Sequence, residues 1–193
     1  MNQKKIARII SVILSPPFLW PLTLIIFFRQ RPIFSRSDLV IIGSVIFATV
    51  FVPFGYILYL FVKKKIGDLD LTKRKERIKP LAVIFLGAFI SIVVATVYGD
   101  TASLKFLALI LILLLANTAI TLFWKISLHM AINIIFIMMI NHWYANHFLI
   151  LYFLVPLIFW SRLKLKKHTV WQLVAGIVLN AGILQLYFVA IRW

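Results

Sequence analysis

Long apolar stretches follow one another along almost the whole chain, and only short polar segments separate them. Each stretch approaches the roughly 20 residues that a helix needs to cross the hydrocarbon core of a bilayer. The pattern predicts an all-α, polytopic membrane helical bundle with about six to seven transmembrane helices, and we interpret residues 1–193 as one transmembrane domain. The predicted spans are residues 9–28, 39–62, 81–98, 103–123, 127–141, 147–160 and 170–190.

Two polar features along the chain qualify this pattern. The N-terminal basic residues and apolar run resemble a signal peptide, but the run continues past Pro16 and Pro17 without a small-residue cleavage site, so we expect a retained first span. The segment NHWYANH, residues 141–147, suits a turn at the headgroup level between the fifth and sixth spans. His142 and His147 therefore fit an interfacial aromatic belt.

The composition agrees with a membrane protein, with 63% hydrophobic residues and a mean hydropathy of +1.04. The 21 Lys and Arg against 5 Asp and Glu give a net charge of +16, which in a soluble protein would indicate nucleic-acid binding. Here the basic residues lie in loops beside the spans, as the positive-inside bias and anionic lipids favour, so we expect no nucleic-acid partner. The absence of cysteine leaves histidine as the candidate nucleophile.

The basic residues divide unequally between the two sides that seven crossings would create. Five of them fall on one side: Arg29, Arg31, Arg36, Lys105 and Arg192. The other side holds 16, namely Lys4, Lys5, Arg8, Lys63, Lys64, Lys65, Lys73, Arg74, Lys75, Arg77, Lys79, Lys125, Arg162, Lys164, Lys166 and Lys167. The bias predicts that this basic face is cytoplasmic, in the cell (inner) membrane.

Three polar clusters meet on the basic face, at residues 68–80, 124–129 and 161–172. Hydrolysis of a phosphate ester needs cationic donors around the phosphoryl oxygens, a nucleophile, and an acid that protonates the leaving oxygen. The clusters contain all three. Arginine binds phosphate better than lysine because its planar fork donates two parallel hydrogen bonds, so Arg77 and Arg162 are the first candidates.

The spacing of the two remaining histidines suggests how they are oriented. Lys125, His129 and Asn133 are spaced as one stripe of a helix, and His168 and Gln172 repeat that interval. Gln172 is therefore expected to accept a hydrogen bond from one ring nitrogen of His168, which leaves the other to attack phosphorus. A helix N-terminus beneath each histidine would favour a bound phosphate.

The last cluster, SRLKLKKHTVWQ, resembles a motif of the type 2 phosphatidic acid phosphatase (lipid phosphate phosphatase) superfamily, SRxxxxxHxxxD. Ser161, Arg162 and His168 stand at the family's positions, and Gln172 stands where the family has aspartate. The resemblance covers roughly residues 70 to 176, and the phosphatase-like core would extend over about 70–190.

The family's other two motifs, PSGH and KxxxxxxRP, match in part. Ser127 and His129 match the former, whereas Ile126 and Leu128 replace its proline and glycine. In the latter, Arg77 would be the arginine. Asp70 and Ile78 would then replace the lysine and the proline, with Lys73 or Lys79 as substitutes for the lysine.

The resemblance implies a membrane lipid phosphate phosphatase that acts on a phosphate or diphosphate monoester, of the phosphatidate or polyprenyl phosphate type, without a metal or cofactor. His168 would form a phosphohistidine and His129 would protonate the leaving alcohol. Arg77, Ser127 and Arg162 would bind the phosphate, with Lys125 and Lys73 as further cations. The sequence leaves open a lipid phosphotransferase, and a non-catalytic protein that binds anionic lipid or a partner through the same basic face. It also leaves the lipid and the oligomeric state open.

Overall fold

The computed structural model of the chain describes residues 2–30 and 35–191, and every regular element within them is helical. This confirms the predicted all-α fold. The α-helices are α1 (Gln3–Ile13), α2 (Pro16–Arg29), α3 (Arg36–Ile46), α4 (Val52–Val62), α5 (Ile78–Tyr98), α6 (Thr101–Phe123), α7 (Leu128–Trp143), α8 (Leu154–Lys164) and α9 (Val170–Ile191). A π-helical turn, Phe47–Phe51, joins α3 to α4, and 3-10 turns, Arg74–Arg77 and Leu149–Phe153, precede α5 and α8.

Among the described residues, five helical segments are long and apolar enough to cross a membrane, and α7 is a shorter apolar helix. The five are Gln3–Arg29, Arg36–Val62, Arg74–Tyr98, Thr101–Phe123 and Val170–Ala190. The segment predicted as a span at 147–160 is also helical, with a 3-10 turn, Leu149–Phe153, that continues directly into α8. The chain is an integral membrane protein built from helices.

The first predicted span is two helices rather than one. Ser15 adopts an extended conformation between α1 and α2, with φ −86 and ψ 155. The cause is local, because a proline disfavours helical geometry in the residue before it and has no N–H for the helical ladder. Pro16 and Pro17 therefore start a new helix, where the missing N–H groups cost nothing.

The chain forms two compact units. Residues 1–30 and 126–193 form the first, which we call the terminal unit, and residues 31–125 form the second, the central unit. In the terminal unit α7 packs against α2, α8 and α9, and α1 packs against α8. In the central unit α5 packs against α3, α4 and α6. Arg31 and Arg192, which entered the charge comparison, lie outside the described residues.

Candidate functional site

The turn between α8 and α9 carries both Arg162 and His168. The N–H of Lys167 donates to the Arg162 carbonyl (3.1 Å), and the N–H of Lys166 donates to the Leu163 carbonyl (2.9 Å). These two bonds form a Schellman motif, which ends α8 with Lys166 in the left-handed conformation at φ 54. The residues between Arg162 and His168 therefore form the last turn of α8 and its C-terminal cap.

Gln172 helps to cap the N-terminus of α9. The N–H of Thr169 donates to Gln172 Oε1 (3.2 Å), and the N–H of Gln172 donates to Thr169 Oγ1 (3.4 Å). This reciprocal pair is a capping box with glutamine at its third helical position. The same Oε1 atom lies 3.2 Å from His168 Nδ1, which confirms the predicted contact between the two side chains.

The contact with Gln172 also fixes the tautomer of a neutral His168 ring. The Thr169 N–H identifies the contacted Gln172 atom as the carbonyl oxygen, and a carbonyl oxygen only accepts. The hydrogen of the His168 contact must then be on Nδ1, and the lone pair is on Nε2. Nε2 is therefore the ring atom of this largely buried histidine that could act as a base or a nucleophile.

Ser127 caps α7 and links it to α9. Its Oγ accepts the N–H of Met130 (3.4 Å), and its own N–H donates to the Gln172 carbonyl (3.2 Å). The N-termini of α7 and α9 thus lie side by side at one end of the terminal unit. His129, in the first turn of α7, and His168, just before α9, both occupy positions where the helix dipole favours an anion.

A glycine permits this close approach of the two helices. A Cβ atom at Gly176 of α9 would lie 2.8 Å from the Ser127 carbonyl oxygen and 3.1 Å from Met130 Cβ. Any larger residue would push α9 away from the first turn of α7. The glycine thus keeps Ser127 within reach of Gln172.

Asn133 anchors the helix that carries His129. Its Nδ2 donates to the His129 carbonyl (2.7 Å) and to the Leu14 carbonyl, at the end of α1 (2.8 Å). Lys125 was expected to continue this stripe but does not, because Ser127 caps α7 and the helix begins only at Leu128. Lys125 lies in the non-helical segment before that cap and belongs to the central unit.

The Arg162 side chain is 1% exposed and reaches α1, which sequence reasoning did not include in the site. Its Nη1 donates to Ser11 Oγ (2.6 Å), and Ser161 Oγ donates to the Ala7 carbonyl (2.6 Å). Ala7 and Ser11 are small residues one turn apart in a helix otherwise rich in isoleucine and basic residues. Two small residues at this spacing indicate that another helix can pack closely against α1.

The charged side chains of the terminal unit are all basic. Each of the five acidic residues belongs to residues 31–125: Asp38, Asp68, Asp70, Glu76 and Asp100. The sequence of the terminal unit therefore contains no Asp or Glu, although it buries Arg162 and carries further cations in the turn after α8. Such a field attracts anions.

Arg77 and Lys73 belong to the central unit, where they hold the segment before α5. Arg77 is 3% exposed, and its Nε donates to the Leu71 carbonyl (2.8 Å). Lys73 Nζ lies 3.7 Å from Glu76 Oε1, and that oxygen also accepts the Gly67 N–H (3.1 Å). The structure thus brings Ser127, His129, Arg162, His168 and Gln172 into one unit, and places Arg77, Lys73 and Lys125 in the other.

The terminal unit contains an oriented imidazole at the adjacent N-termini of α7 and α9, a second histidine in the first turn of α7, and a buried guanidinium held against α1. Among the described residues, no group of three or more His, Asp or Glu is placed to hold a metal ion. No protein-family model matches the sequence, and no curated protein or solved structure is significantly similar to it.

Proposed function

We propose that the terminal unit is the catalytic part of a membrane lipid phosphate phosphatase. Its substrate is a phosphate or diphosphate monoester whose acyl or prenyl tail stays in the bilayer, such as phosphatidic acid or a polyprenyl phosphate. His168 is the nucleophile, His129 is the acid, and Arg162 and Ser127 bind the phosphate. The oriented contact between His168 and Gln172, next to the cap of α7, is the observation that carries the proposal.

The reaction has two steps. Nε2 of His168 attacks phosphorus and forms a P–N bond, while the bond from phosphorus to the lipid oxygen breaks and His129 gives that oxygen a proton. Water then attacks phosphorus, the P–N bond breaks, and inorganic phosphate leaves while His129 takes the proton of the water. In a phosphotransferase the oxygen of an alcohol would attack phosphorus instead of water, so the P–N bond would break, a P–O bond to the alcohol would form, and His129 would take the proton of the alcohol.

Electrostatics support this assignment of roles. Negative charge develops on the phosphoryl oxygens at two positive helix ends, in a unit whose sequence contains no Asp or Glu and which also holds the buried guanidinium of Arg162. The burial of His168 and His129, which are only 8% and 9% exposed, limits access of bulk water to both rings. Each feature favours the transition state of phosphoryl transfer.

The assignment of Arg77, Lys73 and Lys125 to phosphate binding rests on the sequence resemblance and the charge of the basic face. The same charge distribution carries the proposal that the basic face is cytoplasmic, in the inner membrane. Reporters fused to each terminus test it, and an N-terminus outside the cell would overturn it.

The test of the proposed function is phosphate release by the purified chain from phosphatidic acid and from a polyprenyl phosphate. His168→Ala should abolish release, and His129→Ala should reduce it strongly while allowing phosphohistidine to form from a substrate with a good leaving group. His147→Ala is the matched control, because His147 is exposed in the turn after α7. Undiminished turnover by His168→Ala would refute the proposed nucleophile.

The second candidate function is non-catalytic binding of anionic lipid by the same residues. Two contacts favour it: Gln172 is fully explained as the cap of α9, and Arg162 is held by a hydroxyl group of α1. A binding protein would bind to vesicles that contain phosphatidic acid without releasing phosphate. Labelled phosphohistidine in the wild-type protein would exclude this candidate.

A further inference from the structure

We infer that Ser11 of α1 is a positioning residue that holds the Arg162 guanidinium in place for the phosphate group. The inference rests on the proposed function, since it assigns a role within the same anion site. It adds the N-terminal helix, which lies outside the region of sequence resemblance, to the elements that build the site.

Two short, buried hydrogen bonds hold α8 against α1 at this position. Ser11 Oγ accepts from Arg162 Nη1 at 2.6 Å, and both residues are almost fully buried, with exposures of 5% and 1%. One turn earlier in α1, the Ala7 carbonyl accepts from Ser161 Oγ at 2.6 Å. Two consecutive residues of α8 are thus fixed to one face of α1, so the guanidinium cannot turn without breaking a buried hydrogen bond.

A hydroxyl group suits this role better than a carboxylate would. Arginine has five N–H donors, and a neutral acceptor orients them without cancelling the positive charge. A carboxylate at position 11 would form an ion pair with the guanidinium and compete with the phosphate for the same donors. The sequence of the terminal unit contains no Asp or Glu, so no carboxylate side chain of that unit offsets the charge of Arg162.

The end of α1, just before the break that separates it from α2, is also fixed to α7. Leu14, at the end of α1, accepts a hydrogen bond from Asn133, which also binds the carbonyl of His129. α1 therefore contacts both Arg162, the proposed phosphate ligand, and α7, which carries His129, the proposed acid. A displacement of α1 would move both, and misplacement of about 1 Å can cost about 10²-fold in rate.

The experiment measures orthophosphate binding to the purified chain by calorimetry and by the rise in unfolding temperature, so that no turnover is needed. The variants are Ser11→Ala, Ser11→Thr and Ser11→Asp, with Arg162→Gln as the reference for a lost site. Thr23→Val is the control, because Thr23 is a fully buried hydroxyl in the same unit that donates only to its own helix, to the Leu19 carbonyl at 2.8 Å.

We expect Ser11→Ala to weaken phosphate binding about tenfold, the loss of about 1.4 kcal/mol that a misplaced charged hydrogen bond implies. Ser11→Thr should restore most of the affinity because it keeps the hydroxyl. Ser11→Asp should bind phosphate at least as weakly as Ser11→Ala, yet unfold at the wild-type temperature or above, because its carboxylate pairs with the guanidinium. Thr23→Val should bind phosphate like the wild type.

A purely structural contact would give a different pattern. Ser11→Ala would then unfold at a lower temperature but bind phosphate with wild-type affinity, and that result would overturn the inference, as would a wild-type protein whose phosphate binding does not depend on Arg162. The measurement is of binding and not of turnover, so the two proposals can fail separately. If phosphate affinity depends on Ser11 but no lipid phosphate is hydrolysed, the proposed hydrolysis is wrong and the inference about Ser11 stands. If the protein hydrolyses lipid phosphate but Ser11→Ala binds phosphate with wild-type affinity, the proposed function stands and the inference about Ser11 is wrong.

Discussion

The Nδ1 atom of His168 and the Oε1 atom of Gln172 lie 3.2 Å apart at the start of α9. The same oxygen accepts the backbone N–H of Thr169, so Gln172 both caps the helix and orients the imidazole. A neutral amide can hold the tautomer but cannot stabilise the imidazolium that forms as the nucleophile reacts. The contact therefore predicts a nucleophile that is well placed and only partly activated.

Gln172→Glu should raise the rate of phosphate release about tenfold. Glutamate has the same length as glutamine and is a usual partner in a capping box, so the cap of α9 should persist, and its charge would stabilise the imidazolium. The comparable loss of the negative partner in a serine protease triad costs about 10⁴ in rate. Steady-state phosphate release measures the effect, with the unfolding temperature as a check on the fold.

Gln172→Asp restores the residue of the resembling family but is one methylene shorter, so it should preserve the rate or raise it by less. Gln172→Leu removes the acceptor and should lower the rate about 10²-fold. A Gln172→Glu protein that folds normally and releases phosphate no faster than the wild type would show that His168 is not limited by its partner.

The helical architecture was predictable because apolar length alone decides which segments can cross a bilayer. The sequence also contained the cause of the break in the first span, Pro16 and Pro17, but both continue an apolar run, so hydropathy concealed it. The turn at Lys166 was similarly concealed. Helix ends of this type usually contain glycine, and a lysine in the left-handed conformation gives no sequence signal.

The site was predictable only where contacts are local. The contact of His168 with Gln172 follows from an interval of one helical turn, and it is present. The Ser11 to Arg162 and Asn133 to Leu14 contacts join positions more than a hundred residues apart, and no periodicity encodes them. Lys125 was misplaced on the α7 stripe because the cap at Ser127 was interpreted only as a chemical motif.

Asn133→Leu should destabilise the terminal unit by about 1–2 kcal/mol. The substitution removes the hydrogen bonds to the Leu14 and His129 carbonyls, and buried hydrogen bonds between membrane helices contribute about 0.6 kcal/mol on average and at most about 1.7. Unfolding in mixed detergent micelles measures the change. Thr23→Val, which loses a bond within one helix only, should lose less, and equal losses would show that Asn133 does not join helices.

Gly176→Ala should lower both stability and activity. The added Cβ would lie 2.8 Å from the Ser127 carbonyl, and backbone atoms cannot move aside cheaply, so we expect a loss of about 1–3 kcal/mol and a wider gap between Ser127 and Gln172. Gly182→Ala, in the same helix, is the matched control because nothing lies within 4 Å of its Cβ. If both variants behave alike in unfolding and phosphate release, the close approach of α7 and α9 is wrong.

Lys166→Gly should stabilise the protein by about 1 kcal/mol. A left-handed residue other than glycine costs roughly 1–2 kcal/mol, and Lys166 occupies that conformation at φ 54. Lys164→Gly removes the same charge from the last turn of α8 and should destabilise by about 1 kcal/mol instead. Opposite signs in the measured free energy of unfolding would establish the Schellman turn, whereas losses in both variants would contradict it.

Gly87→Ala should destabilise the central unit by about 2 kcal/mol or more. A Cβ on this residue of α5 would overlap the carbonyl of Ala48, which lies in the π-helical turn between α3 and α4. Gly55→Ala in α4 has nothing within 4 Å of its Cβ and should gain about 0.5–1 kcal/mol, because alanine favours a helix. Unfolding in detergent distinguishes the two, and a harmless Gly87→Ala would show that α5 does not pack against the π-turn at this distance.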